Sequence, residues 1–384
     1  MEYSGNIISK LPRVKTTIFT TMSALAREYQ AINLSQGFPD FNTHPQLIDL
    51  VTDAMKKGMN QYSPMQGYLP LREMIAQKTF ELYSAQYDPE KEITITAGAT
   101  QAIFTAISAV IRDGDEVIII EPAYDCYGPA IELCGGIIKY VKLDDQNFSI
   151  NWDEVKKMIT AQTKMIIINT PHNPTGAILS AADLAKLQKL VKDKDIIVLS
   201  DEVYEHIIFD GFEHQSVARY PELAKRSFII SSFGKTYHTT GWKVGYVMAP
   251  ENLMTEFRKV HQYNVFSVNT PIQVAYAELL KEKDLYLELG AFYQEKRDFF
   301  RKLLKGSRFQ LKPALGSYFQ LLSYHKISDE KDVDYAIRLT KEHGVAPIPM
   351  SVFYHNLDDH HHLRFCFAKE NETLEKAAEK LIKV

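Results

Sequence analysis

The chain has only three cysteines and two tryptophans in 384 residues. No apolar run approaches the ~18 residues that a membrane-crossing helix requires. Cys126, Cys134 and Cys366 form no CxxC pair, and three thiols cannot pair completely within one chain. A disulfide scaffold is therefore excluded, and a reducing, cytoplasmic setting is expected. Charge of one sign is lacking too: 44 Lys and Arg stand against 48 Asp and Glu, a net charge of −4. That balance offers no basic footprint for nucleic acid or for an anionic membrane. The GxGxxG of dinucleotide sites and the GxxxxGK[ST] of P-loops are both missing, so NAD and ATP have little support. The first ten residues lack the charged and apolar regions of a secretory leader. Gly and Pro number 18 and 16, with no repeat and no Gly/Ser linker, which rules out collagen-like and low-complexity chains. What remains is an ordinary globular composition, 45% apolar and long enough for more than one domain.

Short apolar, β-branched runs recur at Ile93–Thr96, Val117–Ile120, Ile137–Val141, Met165–Ile168, Ile196–Leu199 and Phe228–Ser232. Such runs read as strands buried on both faces. Amphipathic stretches at Thr100–Ile111, Tyr127–Cys134, Trp152–Ile159 and Ala181–Lys192 read as the helices between them. The alternation predicts an α/β fold with a mostly parallel sheet covered by helices. In such sheets ligands bind beyond the carboxyl ends of the strands. After about Pro250 the pattern changes to charged helices at Asn252–Tyr263, Pro271–Lys281 and Leu285–Leu304. A smaller α+β region follows, with strands at Ser317–Leu322 and Leu363–Phe367 and a closing helix at Glu370–Val384.

Lys235 lies just past the run Phe228–Ser232, among small residues and aromatics. Desolvation there would lower its pKa and free the amine to attack a carbonyl. Lys243, eight positions on, could hold a phosphate as a point charge; otherwise both are solvated lysines. The loop Asn169-Thr-Pro-His-Asn173-Pro-Thr-Gly has good turn chemistry, and the Asn173 amide could instead reach a cleft. Asp201 and Tyr204 are three apart, so a helical turn beginning at Asp201 would put both on one side. A simple N-cap is the competing role for Asp201. Gly98-Ala99-Thr100 leaves a strand through small residues and opens a helix, where backbone N–H groups favour an anion. Tyr124 could stack on a planar ligand, although 21 tyrosines make a core position the common alternative. Arg364 sits alone in an alternating strand, suited to a carboxylate or to an ion pair on a sheet edge.

Together these segments resemble the fold-type I aminotransferases, which use pyridoxal 5'-phosphate. Gly37, Tyr62, Gly98-Ala99-Thr100, Tyr124, Asn173, Asp201, Tyr204, Ser232, Lys235, Lys243 and Arg364 follow the family's order along essentially the whole chain. The stretches Gln36-Gly-Phe-Pro-Asp-Phe41, Gln61-Tyr-Ser-Pro and Ser200-Asp-Glu-Val-Tyr-Glu-His206 are similar to the branch of methionine, kynurenine and glutamine transaminases. The resemblance implies a seven-stranded sheet in a large cofactor-binding domain over residues 45–280. A small domain would span 281–384, with residues 1–44 forming an arm and part of it. Lys235 would carry the cofactor's aldehyde and then the proton at Cα, and Asp201 would pair with the pyridine nitrogen. Tyr204 and Asn173 would bond the ring's phenolic oxygen, with Tyr124 stacking on the ring and Asn169 assisting. Gly98, Ala99, Thr100, Ser232 and Lys243 would hold the phosphate, with Tyr62 reaching in from a second subunit of a homodimer. Arg364, with the backbone near Gly37, would grip the substrate α-carboxylate.

No second arginine stands where dicarboxylate-specific relatives carry one, whereas Phe19, Phe38, Tyr62, Tyr124 and Phe353 supply apolar surface. Large neutral donors are thereby expected: methionine, phenylalanine, tyrosine, glutamine, histidine or kynurenine, with a 2-oxo acid as acceptor. A β-lyase acting on cysteine conjugates or cystathionine shares the early chemistry and is the main rival. A cofactor-binding regulator of transcription is the second, opposed by the short stretch before Ile32 and the absent basic surplus. The run Asp358-Asp-His-His-His362 is read as a solvated loop, and no metal is expected at His360–His362 because no spaced ligand set accompanies it.

Overall fold

The computed structural model describes Met1 and residues 3–384. In chain order the strands are β1 (Ile32–Asn33), β2 (Ile93–Thr96), β3 (Glu116–Glu121), β4 (Ile137–Lys142), β5 (Thr163–Asn169), β6 (Ile197–Asp201), β7 (Ser227–Ser232), β8 (Gly245–Met248), β9 (Phe319–Ser323), β10 (Val345–Ala346), β11 (Ile348–Pro349) and β12 (His362–Cys366). The large sheet has seven strands in the order β2-β8-β7-β6-β5-β3-β4. All its pairings are parallel except those of β8, which runs antiparallel to both β2 and β7. Alternating side chains explain why these runs carry no polar face. Ile118, Ile166, Val198 and Ile229 enter one core, and Ile119, Ile167, Leu199 and Ile230 enter the core on the opposite face.

The six apolar runs become β2 to β7, with ends within two residues of the expectation. The seventh strand, β8, is four residues long and begins on Gly245, too short for the apolar pattern alone to mark it. The helices Ala99–Val110, Tyr127–Leu133, Trp152–Met158 and Ala181–Val191 lie where amphipathicity puts them. The expected Leu285–Leu304 helix is instead two, Asp284–Leu287 and Leu289–Leu303, separated at Glu288. Gly290 there lies against the Ile208 carbonyl, which a Cβ would approach to 2.9 Å. Four helices of more than ten residues carry no expectation, Ile18–Glu28, Pro45–Lys56, Leu69–Tyr83 and Asp332–His343, nor do the single turns Pro221–Ala224 and Phe233–Thr236.

A second sheet, β11-β12-β9, is antiparallel, and β1 pairs with β10. Its core joins Met22, Ala26 and Leu34 from the start of the chain, and Val203, Tyr204, Ile207 and Phe209 from beyond β6, to residues between Leu289 and Leu381. β12 is the central strand, so the expected alternation gives way to four successive buried residues, Leu363 to Cys366. An ion pair on a sheet edge is thus not the role of Arg364. Among the described residues, no helix is long and apolar enough to cross a membrane.

Candidate active site

The register of the large sheet gathers the chemistry at one end. Gly245 lies opposite both Thr96 and Ser232, and Asn169 lies opposite Asp201. The carboxyl ends of β2, β3, β5, β6 and β7 therefore empty into one cleft, as parallel sheets dictate. The cleft encloses about 340 Å³ and is closed on its far side by Phe319 and Arg364 of the second sheet.

Within it lie Gly37, Gly98, Ala99, Thr100, Tyr124, Asn169, Asn173, Asp201, Tyr204, Ser232, Lys235, Lys243 and Arg364. Tyr62 is not brought there by its own chain. It is 82% exposed, edge-on to Phe266, on a loop tied to Thr270 through the Gln61 carbonyl. Of the expected apolar wall, Phe19 lines the cleft and Phe353 packs behind Arg364. Phe38 turns away to solvent, its ring beneath Lys369 Nζ and its carbonyl accepting from that amine.

Lys235 follows β7 in a single helical turn, Phe233–Thr236. Its amine donates to the Tyr318 hydroxyl at 2.8 Å and to the Gly37 carbonyl at 3.1 Å. Burial lowers its pKa to about 8, and the nearby cations Lys243 and Arg364 act in the same direction. Asp201 closes β6 rather than capping a helix, and the Glu202–His206 turn that follows carries Tyr204 into the cleft. Its carboxylate accepts from Tyr127 Oη at 2.6 Å, yet burial raises its pKa to about 6. A carboxylate so placed lacks a cationic partner.

Gly98 has φ +78°, which favours glycine, and a Cβ there would come within 3.3 Å of Lys243 Cε, so glycine also lets the backbone and this lysine meet closely. The helix that begins at Ala99 presents N–H groups without intrahelical acceptors at the same place. Tyr124 reaches the cleft from beyond β3, near Thr100. Arg364 is 1% exposed and bonds Asn173 Oδ1 at 2.7 Å and the Ser35 carbonyl at 3.0 Å. Its Nε has no partner, no carboxylate bonds it, and Phe319 lies flat beneath it at 3.9 Å. Burial lowers it only to about 10, so it stays cationic at neutral pH.

Val203, Tyr127, Tyr318 and Phe319 are site residues that sequence reasoning missed. The sole signal for three of them was an aromatic beside a strand. The His360–His362 run borders a different cavity, with His325 and Lys312, and His362 is already the first residue of β12. Among the described residues no three His, Cys, Asp or Glu are grouped to hold a metal ion.

These groups fit pyridoxal 5'-phosphate: an anion cradle at Gly98–Thr100 with Lys243, an aromatic ring, a buried carboxylate for a cationic nitrogen and a desolvated amine for an aldehyde. Fold and site thus define a pyridoxal-phosphate enzyme working on amino groups. The chain belongs to the class I and II aminotransferases, whose family model matches residues 29–381. It is 50% identical over 374 residues to the methionine aminotransferase of Escherichia coli, covering 97% of each chain. A solved Escherichia coli structure with a methionine aminotransferase function superposes with a TM-score of 0.97 at 49% identity, covering 99% of this chain and 100% of that one. Kynurenine–oxoglutarate transaminase 1 of Rattus norvegicus is 33% identical over 416 residues, again covering 97% of both. This protein is a pyridoxal 5'-phosphate-dependent aminotransferase acting on amino acids.

Proposed function

We propose that the enzyme moves the amino group of a large neutral or aromatic amino acid, methionine foremost, to a 2-oxo acid in a ping-pong cycle. One observation carries the reading: Arg364 is buried, cationic and hydrogen-bonded to no carboxylate, in the same cleft as the Lys235 amine. A substrate carboxylate bonded by that guanidinium is held in two places and cannot rotate, which fixes the direction of the bond to be broken. Phe19 and Phe319 keep water from the clamp. When bound, the cofactor supplies an electron-withdrawing ring that stabilises negative charge at the substrate Cα.

Lys235 would take the proton from the substrate Cα and give it up to the carbon on the other side of the amino nitrogen. The task needs a neutral amine, and burial supplies one near pH 8. Asp201 holds a proton on the ring nitrogen, its own burial making the ion pair strong. Asn173 and Tyr204 serve the ring's phenolic oxygen, and Tyr124 the ring face. Ser232, Lys243 and the amides of Gly98, Ala99 and Thr100 hold the phosphate, with Asn169 bracing Asp201 through the Asp201 carbonyl at 2.8 Å.

We take the active unit to be a homodimer, in which Tyr62 of a second copy completes the phosphate site. The exposed pair Tyr62 and Phe266, with Tyr263 at 87% exposure, supports an aromatic contact surface. The division into residues 45–280 and 281–384, with 1–44 joining the latter, is supported by a second core drawn mainly from 1–44 and 281–384, to which Val203, Tyr204, Ile207 and Phe209 of the large domain also contribute. Three free thiols suit a cytoplasmic enzyme. Single-turnover absorbance spectra of the loaded enzyme against all twenty amino acids and kynurenine test the function. Methionine should bleach the cofactor band and yield its keto acid. Failure to form keto acid from any large neutral donor overturns the proposal.

A further inference from the structure

Resting on the assignment of Lys235 as proton carrier, we propose that Tyr318 is its positioning residue: the phenol docks the lysine amine against the Gly37 carbonyl whenever that amine is not bonded to the cofactor. Three heteroatoms form a closed triangle. Lys235 Nζ donates to Tyr318 Oη at 2.8 Å and to Gly37 O at 3.1 Å, and Tyr318 Oη donates to Gly37 O at 2.5 Å. In this arrangement the phenol gives its hydrogen to the carbonyl and offers a lone pair to the amine.

Neither partner can drift. Tyr318 is 0% exposed, with Tyr204, Phe319 and Tyr293 packed around it at centroid distances of 5.1, 5.0 and 5.6 Å. A side chain at Gly37 would put its Cβ 2.7 Å from Phe319 Cζ, so the close approach that aims its carbonyl depends on glycine. A freed lysine on a flexible four-carbon stem otherwise explores many rotamers, and each lowers the fraction of time spent near the reacting carbon. Tyr318 and Phe319 are adjacent in sequence. One therefore docks the proton carrier and the other lies under the carboxylate clamp, so a single dipeptide at the start of β9 sets their mutual placement. The charged and titratable groups facing the amine are Asp201, Lys243, Arg364 and Cys366, besides the rings of Tyr204 and Tyr318.

The test compares Tyr318→Phe with the parent, both as full chains loaded with pyridoxamine 5'-phosphate, the form that leaves the lysine free. The Lys235 amine is titrated by NMR after ¹³C reductive methylation, its signal identified by its absence in Lys235→Ala. Loss of one acceptor should lower the midpoint by about half to one pH unit, given typical hydrogen-bond strengths. The acidic limb of the kcat profile should move the same way, with KM for the amino donor unchanged. Thermal midpoints of the two proteins record any purely structural damage. An unshifted amine titration and an unshifted kcat profile overturn the role of Tyr318, whatever the midpoint does. Full turnover by Lys235→Ala would instead overturn the assignment of the lysine itself.

Discussion

Asn173 Oδ1 accepts from Arg364 Nη1 at 2.7 Å, joining the loop after β5 to the central strand of the second sheet across 191 residues of sequence. The same asparagine gives its backbone N–H to Asn169 Oδ1 at 2.8 Å, and Asn169 Nδ2 donates to the Asp201 carbonyl at 2.8 Å. A continuous run of neutral amides therefore connects Asp201, proposed to face the ring nitrogen, with Arg364, proposed to grip the carboxylate. Neutral links suit the place. A charged residue at position 173 would either occupy the guanidinium or repel it, and in both cases compete with substrate.

Asn173→Ala should weaken the amino donor first. Arg364 would keep only the Ser35 carbonyl, and a hydrogen bond to a charged group is worth about 1.5–3 kcal/mol, so KM for methionine should rise about 10- to 100-fold. Steady-state kinetics with the donor varied at saturating 2-oxo acid measures this. An unchanged KM would detach Asn173 from the clamp.

Asp201 gives a stability prediction with a definite sign. Burial raises its folded pKa to about 6 from an ordinary 3.8. The folded state thus holds the proton more tightly, and stability present below about pH 4 is lost as pH rises through 6. Without cofactor, Asp201→Asn should therefore be more stable than the parent at pH 8, by about 3 kcal/mol, and equal to it near pH 4. With the cofactor loaded the order at pH 8 should reverse, because the parent's carboxylate then has a cationic partner. Urea unfolding at both pH values, with and without cofactor, reads out all four cases.

Behind the site, Glu205 is 6% exposed and accepts from Lys78 Nζ at 2.7 Å, Ser231 Oγ at 2.5 Å, Tyr246 Oη at 2.9 Å and Tyr83 Oη at 2.7 Å. Burial alone would push its pKa up, but Lys78 and the hydroxyl donors outweigh it and hold the carboxyl well below its usual range. Lys78→Met should cost about 3–5 kcal/mol at pH 7, since one charge is left buried without its partner. Without Lys78, burial raises the Glu205 pKa, so the deficit should begin to shrink as pH falls toward about 4.5 and go on shrinking below it, where the parent loses the stability of its depressed acid. A deficit independent of pH would show packing loss alone.

Much of this was legible because each cleft loop follows a strand whose apolar run announces it: Ile93–Thr96 before Gly98, Met165–Ile168 before Asn173, Phe228–Ser232 before Lys235. β8 was not, because four residues opening on glycine form no run. Its antiparallel course is nonetheless what sets Gly245 beside Gly98 at the anion cradle. Tyr127, Tyr318 and Phe319 escaped for a different reason: among 21 tyrosines and 20 phenylalanines, only three-dimensional contact separates a core ring from one touching a lysine or an arginine. The same limit misplaced Phe38, whose apolar character did not reveal that Lys369 holds it outside the cleft. The edge-strand ion pair stayed open as an alternative for Arg364 because strand order cannot be read from one strand.

Selectivity follows from counting cations in the cleft. Among the described residues lining it, only Lys235, Lys243 and Arg364 are basic. Lys243 lies against Gly98 at the anion cradle, Lys235 is engaged by Tyr318 and Gly37, and Arg364 is left for a single carboxylate. Aspartate brings two. Its second carboxylate would have to settle among Phe19, Phe319 and the neighbouring wall without a partner, a burial that costs several kcal/mol. Methionine meets the same wall with a polarisable thioether, which gains about 0.3–1.5 kcal/mol against aromatic rings. At 1.4 kcal/mol per tenfold, kcat/KM should favour methionine over aspartate by about 100-fold or more. Phenylalanine and methionine should differ far less, since an apolar pocket separates such side chains by only about 1–3 kcal/mol per group. Competition between the two donors for one limiting 2-oxo acid, read by chromatography of the products, measures the ratio directly. Aspartate within tenfold of methionine would require a fourth cation in the working site, and the partner subunit of the proposed dimer would be the place to look for it.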